Sequence, residues 1–474
     1  MKFIGKDPLM KCLYQGCLWA IFFMVGFTAE KGSAPTHVDK PQNVLFIMVD
    51  DLNKALGTYG HELVQSPHVD SLAAMGIQFE NAHCNYSVCN PSRTSLLTGL
   101  RPETTGVLNN DVSIQSILGD RVTLPALFKR NGYHTVNIGK IFHGPVADHN
   151  DMRAWDEFYF FGPTELGKQG EKRNFTGDVM SWCYWQAAEG SDEDQADGQT
   201  ALKAVEIIKR KSEKPLFLAV GLTKPHDPYI APKKYFDQYP LEKMELPAVP
   251  SEWAPAYEYA FPLETPVFPQ GKSIFNSFSE QDKREFLRAY YACITFMDAQ
   301  LGKILNALEA TGQLENTHII FFSDHGYHLG DHDWWNKFTL YELSTSSPFI
   351  VAGPSVKQKG SKTEAMIEFI DVFPTLAALL NLKMVPDYLE GRNFERLLKH
   401  PNEPFRTHVR AVTTRKGGIM GKSVRNMDWL YIEWEEGRMG RELYDLENDP
   451  LEYTNLAEQP RYTSLVRELK ELIE

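Results

Sequence analysis

Val44-Leu45-Phe46-Ile47-Met48-Val49-Asp50-Asp51 sets six uninterrupted apolar residues directly against two carboxylates. A short apolar run without alternation marks a strand buried on both faces, the habit of parallel sheets in α/β proteins. The same pattern recurs along the chain. Thr135 to Ile138 leads into Gly139-Lys140, Leu216 to Val220 into Lys224-Pro225-His226, and Ile319 to Phe322 into Ser323-Asp324-His325, while Pro348 to Ala352 reads as a further strand. Helical patterns lie between them, over Ser71 to Met75, Leu124 to Arg130, Thr200 to Lys211, Glu280 to Gly312 and Ile370 to Leu380. This alternation predicts an α/β fold, a large mixed and mainly parallel sheet sandwiched by helices. Such sheets bind ligands beyond the carboxyl ends of their strands, and most chemically capable residues of this chain fall there.

Two stretches interrupt the alternation. Pro145 to Asp197 is rich in aromatics and glycine, and Pro228 to Lys272 is rich in proline and tyrosine. Both read as irregular insertions that shape a pocket. Their tryptophans Trp155, Trp182, Trp185 and Trp253 suit either a sugar-stacking platform or the core. The chain turns polar around Leu398 to Arg406; strand-like runs follow at His408 to Thr413 and Trp429 to Trp434, then an amphipathic stretch from Pro460 to the end. These predict a smaller C-terminal antiparallel sheet plus helix. The expected boundaries are an export segment at 1–29, a main domain at 41–400 and a C-terminal subdomain at 401–474.

With 43% hydrophobic, 12% aromatic and 23% charged residues, the 474-residue chain has the composition of a globular protein. Its net charge of −13 argues against nucleic acid or an anionic membrane surface as a partner. A small anion stays admissible, because a local cationic pocket overcomes a diffuse negative field. Lys2, Lys6 and Lys11 precede an apolar run from Cys12 to Phe27 that closes on Phe27-Thr28-Ala29, the layout of a cleavable export signal. That segment carries +2, so its removal leaves −15. No later stretch is long and apolar enough to span a bilayer. An exported protein is expected, periplasmic or secreted, or lysosomal in a eukaryote, with no stable membrane span after cleavage. Cleavage also leaves four cysteines, Cys84, Cys89, Cys183 and Cys293, which is no disulfide framework.

The polar strand ends suggest chemistry. Asp50-Asp51 offers two adjacent hard carboxylates and Asp324-His325 a third with an imidazole, a set suited to Ca²⁺ and less to Mg²⁺. An Asp pair alone would serve equally as a helix cap. Cys89 begins a helix, with Pro91 in the first turn, so free N–H groups and the helix dipole favour negative charge at position 89. Arg93 lies one turn further and can reach back to it. Lys140 and His143 are three residues apart, Lys224 and His226 flank Pro225, and Lys337 follows Trp334-Trp335-Asn336. A cationic cluster in an acidic protein calls for a compact anion with several oxygens.

Cys89-Asn90-Pro91-Ser92-Arg93, closed by Thr98-Gly99, is a rare string. With Asn43 to Asn53, Gly139 to His143, Lys224-Pro225-His226, Ser323 to His332 and Trp335-Asn336-Lys337, it resembles the type I formylglycine-dependent sulfatases of the alkaline phosphatase superfamily. The similarity runs from about Asn43 to about Glu458. The Lys140-x-x-His143 spacing and Asp324-His325 point to the branch of iduronate-2-sulfatase and its bacterial relatives. The resemblance implies that 41–400 is catalytic and that Cys89 is converted to Cα-formylglycine by a formylglycine-generating or anaerobic sulfatase-maturating enzyme. It implies calcium bound by Asp50, Asp51, Asp324, His325 and an oxygen of residue 89. It further implies that Arg93 and Lys140 steady the nucleophile and the sulfate and that His143 accepts a proton. It implies too that His226 and Lys337 contact the sulfate and that one of them protonates the leaving oxygen of a sulfated saccharide. Two alternatives stay open: a phosphonate or phosphate monoester hydrolase of the same superfamily, and a non-catalytic glycan-binding protein if Cys89 stays a thiol.

Overall fold

The computed structural model describes residues 41–178, 180–262 and 274–473; the expected export segment lies outside them. Eight strands form the main sheet, in the order Ser361–Thr363, Gly76–Phe79, Phe349–Ala352, Thr317–Ser323, Asn43–Val49, Leu216–Leu222, His134–Gly139 and Glu157–Tyr159. Among these strands Phe349–Ala352 alone runs against its neighbours, so the sheet is mixed and mainly parallel as the apolar runs predict. The central strand explains its own composition. Leu45, Ile47 and Val49 enter one core and Val44, Phe46 and Met48 the other, so neither face meets water and the sequence has no reason to alternate.

Helices cover both faces. Pro67–Met75, Ala196–Lys209 and Glu280–Ala310 pack on the first core, and Cys89–Thr98, Leu124–Arg130 and Val372–Leu379 on the second. The long helix starts where Ser279 and Asp282 cap each other's backbone N–H groups. The helix expected from Thr200 begins at Ala196 instead, with Asp197 in its first turn.

The two insertions are less irregular than their composition suggests. Tyr184–Ala188, from the first, pairs antiparallel with Gly170–Asn174 and parallel with Tyr229–Pro232 from the second. Each strand exists because a partner distant in sequence satisfies its backbone groups, a condition no local window displays. Trp155 and Trp185 prove to be core residues, at 6% and 4% exposure.

Near the C-terminus, Val409–Thr414, Met420–Arg425, Trp429–Trp434 and Gly440–Asp445 form an antiparallel meander. Leu430, Ile432, Trp434 and Tyr444 join the first core, while Val424, Tyr431 and Leu443 lie under Val466 and Leu469 of the Thr463–Glu471 helix. Among the described residues no helix is long and apolar enough to cross a membrane.

Strand register decides what happens next. Val49 is level with both Ser323 and Leu222, and Gly139 is level with Gly221. Pairing continues one residue past the strands, with Asp50 N–H donating to Leu222 at 3.0 Å and Asp324 N–H to Val49 at 3.1 Å. Neighbouring strands lie ~5 Å apart, so the residues following four adjacent strands are delivered side by side at one edge.

Candidate active site

Asp324-His325, Asp50-Asp51, His226 and Lys140 with His143 leave adjacent strands in that spatial order. Cys89 is brought over them by the first turn of the Cys89–Thr98 helix, and Lys337 by the loop after Thr317–Ser323. The closeness of the strand ends demands glycine. A Cβ on Gly221 would stand 2.2 Å from the Lys140 carbonyl oxygen, and Gly139, at φ +79°, would place one 2.1 Å from that of Gly221.

All ten sequence-predicted residues converge. Asp50, Asp51, Cys89, Arg93, Asp324, His325 and Lys337 are buried, whereas Lys140, His143 and His226 are partly exposed and form the open side. The Cys89 sulfur lies 3.3 Å from Lys337 Nζ and 3.5 Å from His325 Nε2. Lys337 also donates to Asp51 Oδ1, and Lys140 Nζ pairs with Asp50 at 2.6 Å. Arg93 differs from expectation in where it points. Its guanidinium bridges Asp50 Oδ1 at 2.8 Å and Asp324 Oδ2 at 2.7 Å, and it also donates to the Lys140 and Ile141 carbonyls. It locks carboxylates together and ties them to the Lys140 loop. Lys224 turns away from the site, donating to the His226 and Pro228 carbonyls at 2.8 and 2.7 Å.

The donor set fits a hard cation. Potential ligand atoms fall into two groups that share Cys89, one with Asp50, Asp51 and His226 and one with Asp324 and His325. Asp51 Oδ2 is buried without a hydrogen-bond donor, which is costly for a carboxylate unless a cation meets it. His325 Nδ1 donates to the Gly326 carbonyl at 2.9 Å, so Nε2 is left to coordinate, 3.4 Å from Asp51 and 3.6 Å from Asp324.

Charges are arranged by the same contacts. Burial opposes ionisation of Asp50, but Lys140 and Arg93 outweigh it and hold the carboxyl well below its usual range. Burial likewise opposes a thiolate at Cys89, and Lys140 and Lys337 overcome it. His226 loses by burial and gains more from Asp51 and Asp227, which raise it to about 9. Burial instead lowers His143, leaving a neutral imidazole able to accept a proton. A protonated imidazole, His226, and a neutral one, His143, thus stand beside Cys89 together with Lys140 and Lys337.

Sequence reading missed the supports. Ser323 Oγ accepts from Leu52 N–H at 2.9 Å and donates to the His325 carbonyl at 2.9 Å, joining the two carboxylate loops. Asp227 holds His226 Nδ1 through its carbonyl at 2.6 Å. Asp197 accepts the N–H groups of Thr223 and Lys224 at 2.9 and 2.8 Å. Asp227 and Ser323 had a signal, each standing beside a predicted site residue; Asp197 had none.

The family profile described as Sulfatase matches residues 42–382, and that described as N-sulphoglucosamine sulphohydrolase, C-terminal, matches residues 330–474. A sulfatase of Formosa agariphila is 34% identical, over 94% of this chain and 89% of its own. Human iduronate 2-sulfatase is 30% identical, over 93% and 96%. Among solved structures, the phosphonate monoester hydrolase of Agrobacterium radiobacter superposes with a TM-score of 0.77 at 22% identity, covering 91% of this chain and 94% of that one, a likeness of fold.

Proposed function

This chain belongs to the sulfatase family and is a sulfuric ester hydrolase, and from that premise we propose that it removes sulfate from a saccharide, at the 2-position of a uronate-type sugar. The single observation that carries the reading is the convergence of Cys89, the Asp50, Asp51 and Asp324 carboxylates and two lysines on one buried point. The sugar assignment draws on the Lys140-x-x-His143 spacing and on the similarity to iduronate 2-sulfatase over nearly the whole chain.

Conversion of Cys89 to Cα-formylglycine would supply a hydrated aldehyde that can expel sulfate, where a thiol would keep it as a stable adduct. A calcium ion held by Asp50, Asp51, Asp324 and His325 would supply positive charge to the ester oxygens. The remaining work falls to side chains. Lys140 and Lys337 place two ammonium groups around position 89 and offset the charge of a bound sulfate. His226, anchored through Nδ1, presents Nε2 to protonate the leaving alkoxide, which a sugar releases poorly without an acid. His143, neutral and also bonded to Cys89, takes the proton from residue 89 that frees sulfate. Arg93 keeps Asp50 and Asp324 in register.

The test is a desulfation screen of the enzyme, with Cys89 conversion followed by the mass loss of its peptide. Sulfate release from 2-O-sulfated uronate saccharides is expected. Converted enzyme that spares every sulfated saccharide, or cleaves aryl phosphonates in preference to aryl sulfates, overturns the reading.

A further inference from the structure

Three tyrosines lie behind the reacting groups. Tyr229, Tyr290 and Tyr327 come from three separate segments and are 0%, 0% and 1% exposed. Their rings meet in one cluster. Tyr290 and Tyr327 stack with centroids 5.4 Å apart, and Tyr229 meets Tyr290 edge-on at 6.0 Å. We propose that their hydroxyls are positioning groups that lock the Asp51, His226 and Lys337 loops into one register.

The Tyr290 hydroxyl serves the Asp51 loop, and those of Tyr229 and Tyr327 together join the His226 loop to the Lys337 loop. Asp51 has φ +61°, a left-handed conformation uncommon outside glycine, so something must hold it. Tyr290 does so from the Glu280–Ala310 helix: its hydroxyl donates to the Asp51 carbonyl at 2.5 Å and accepts from Asn53 N–H at 3.0 Å. Tyr327 donates to the Trp335 carbonyl at 2.9 Å, two residues before Lys337. Its proton is therefore committed, and the Tyr229 hydroxyl, 2.8 Å away, is the donor between the two. Tyr229 directly follows His226-Asp227-Pro228. The chain of contacts thus runs from the His226 loop through Tyr229 and Tyr327 to the Lys337 loop, with Tyr290 stacked on Tyr327 and bonded at Asp51. Phenylalanine would fill the same space, so packing alone does not call for three hydroxyls. Each ends on a buried residue, and its loss takes a hydrogen-bond donor from a carbonyl or hydroxyl beside a catalytic loop.

The test uses the full-length modified enzyme, p-nitrophenyl sulfate as substrate, and Tb³⁺ luminescence as a direct readout of the carboxylate site. The proposal rests on the sulfatase reading only for its kinetic arm. Tyr229→Phe, Tyr290→Phe and Tyr327→Phe are each expected to lower kcat by ~10- to 100-fold, the scale of a small misplacement of catalytic groups, with KM little changed. The Tyr229→Phe/Tyr327→Phe double variant is expected to be no worse than the poorer single, because both remove the same link. Tyr290→Phe alone is expected to weaken Tb³⁺ binding. Tyr444→Phe is the control, since it removes a comparable buried bond, to Glu442 at 2.7 Å, in the C-terminal sheet. Parent-like kcat in the three loop variants, or an equal loss in Tyr444→Phe, overturns the proposal. Should the parent enzyme be inert to sulfate esters, the Tb³⁺ arm decides: equal affinity in the parent and Tyr290→Phe overturns it.

Discussion

His226 reaches the carboxylates with Nε2, 3.9 Å from Asp50 and 3.8 Å from Asp51, while Nδ1 is tied to the Asp227 carbonyl. In the proposed reaction this nitrogen protonates the leaving oxygen, so its worth depends on the leaving group. His226→Ala is expected to slow hydrolysis of a sugar sulfate by ~10²- to 10⁴-fold, and of p-nitrophenyl sulfate far less, since nitrophenolate leaves without a proton. Equal losses on both substrates would assign His226 to binding instead. Arg93 makes a different case. Its planar fork spans two carboxylates, which a lysine ammonium cannot do. Arg93→Lys is expected to weaken calcium binding by ~10- to 100-fold, as seen for supports of metal ligands, measured by titration calorimetry. Unchanged affinity would sink the clamp. The cysteine string and the Asp, His and Lys signals were legible because each reactive residue follows an apolar run or sits in a rare motif. The direction in which Arg93 points was not, since it depends on Asp50 and Asp324 arriving together from two strands.

At the scale of elements, level strand ends and close crossings place the chemistry. Gly221 lies where the Leu216–Leu222 strand passes under Lys140, and any side chain there displaces the Lys140 backbone. Gly221→Ala is expected to destabilise the fold by about 1–3 kcal/mol through overpacking and to cost ~10²-fold in kcat through the shifted lysine. Thermal melts and steady-state kinetics read the two effects separately; full activity would show that the strand ends tolerate the shift. The parallel core strands were legible because burial on both faces leaves an apolar run in the sequence. Gly170–Asn174 and Tyr184–Ala188 were not: four of the five residues of Gly170–Asn174 are exposed, and its pairing rather than its composition makes it a strand.

At the scale of the whole molecule, three histidines buried neutral, His83, His318 and His332, contribute to acid stability. Burial lowers His83 to about 3 and both His318 and His332 to about 4. The unfolded chain takes up these protons below about pH 6.5, while the fold does not until near pH 4. The contribution of these three rings is therefore full above pH 6.5 and lost as pH falls between the two values. The drop at His318, from the ordinary 6.5 to about 4, corresponds to about 3 kcal/mol. His318→Gln is expected to make the change of melting temperature from pH 6.5 to 4.5 less unfavourable than in the parent; an identical profile in the two proteins would show this ring to be solvated. On this same scale the division between sequence and structure is plain. By itself the sequence determined the α/β class, the mainly parallel sheet, the sulfatase string and the residues that carry charge, because apolar runs, helical periods and rare motifs are local properties of a chain. Only the tertiary structure decided which groups touch: that Arg93 clamps carboxylates, that Lys224 turns away, that Trp155 and Trp185 are core, that the two insertions share a sheet, and that tyrosines from three segments hold three loops. Each of these depends on the strand register and on burial between segments distant in the chain, and no local pattern encodes either.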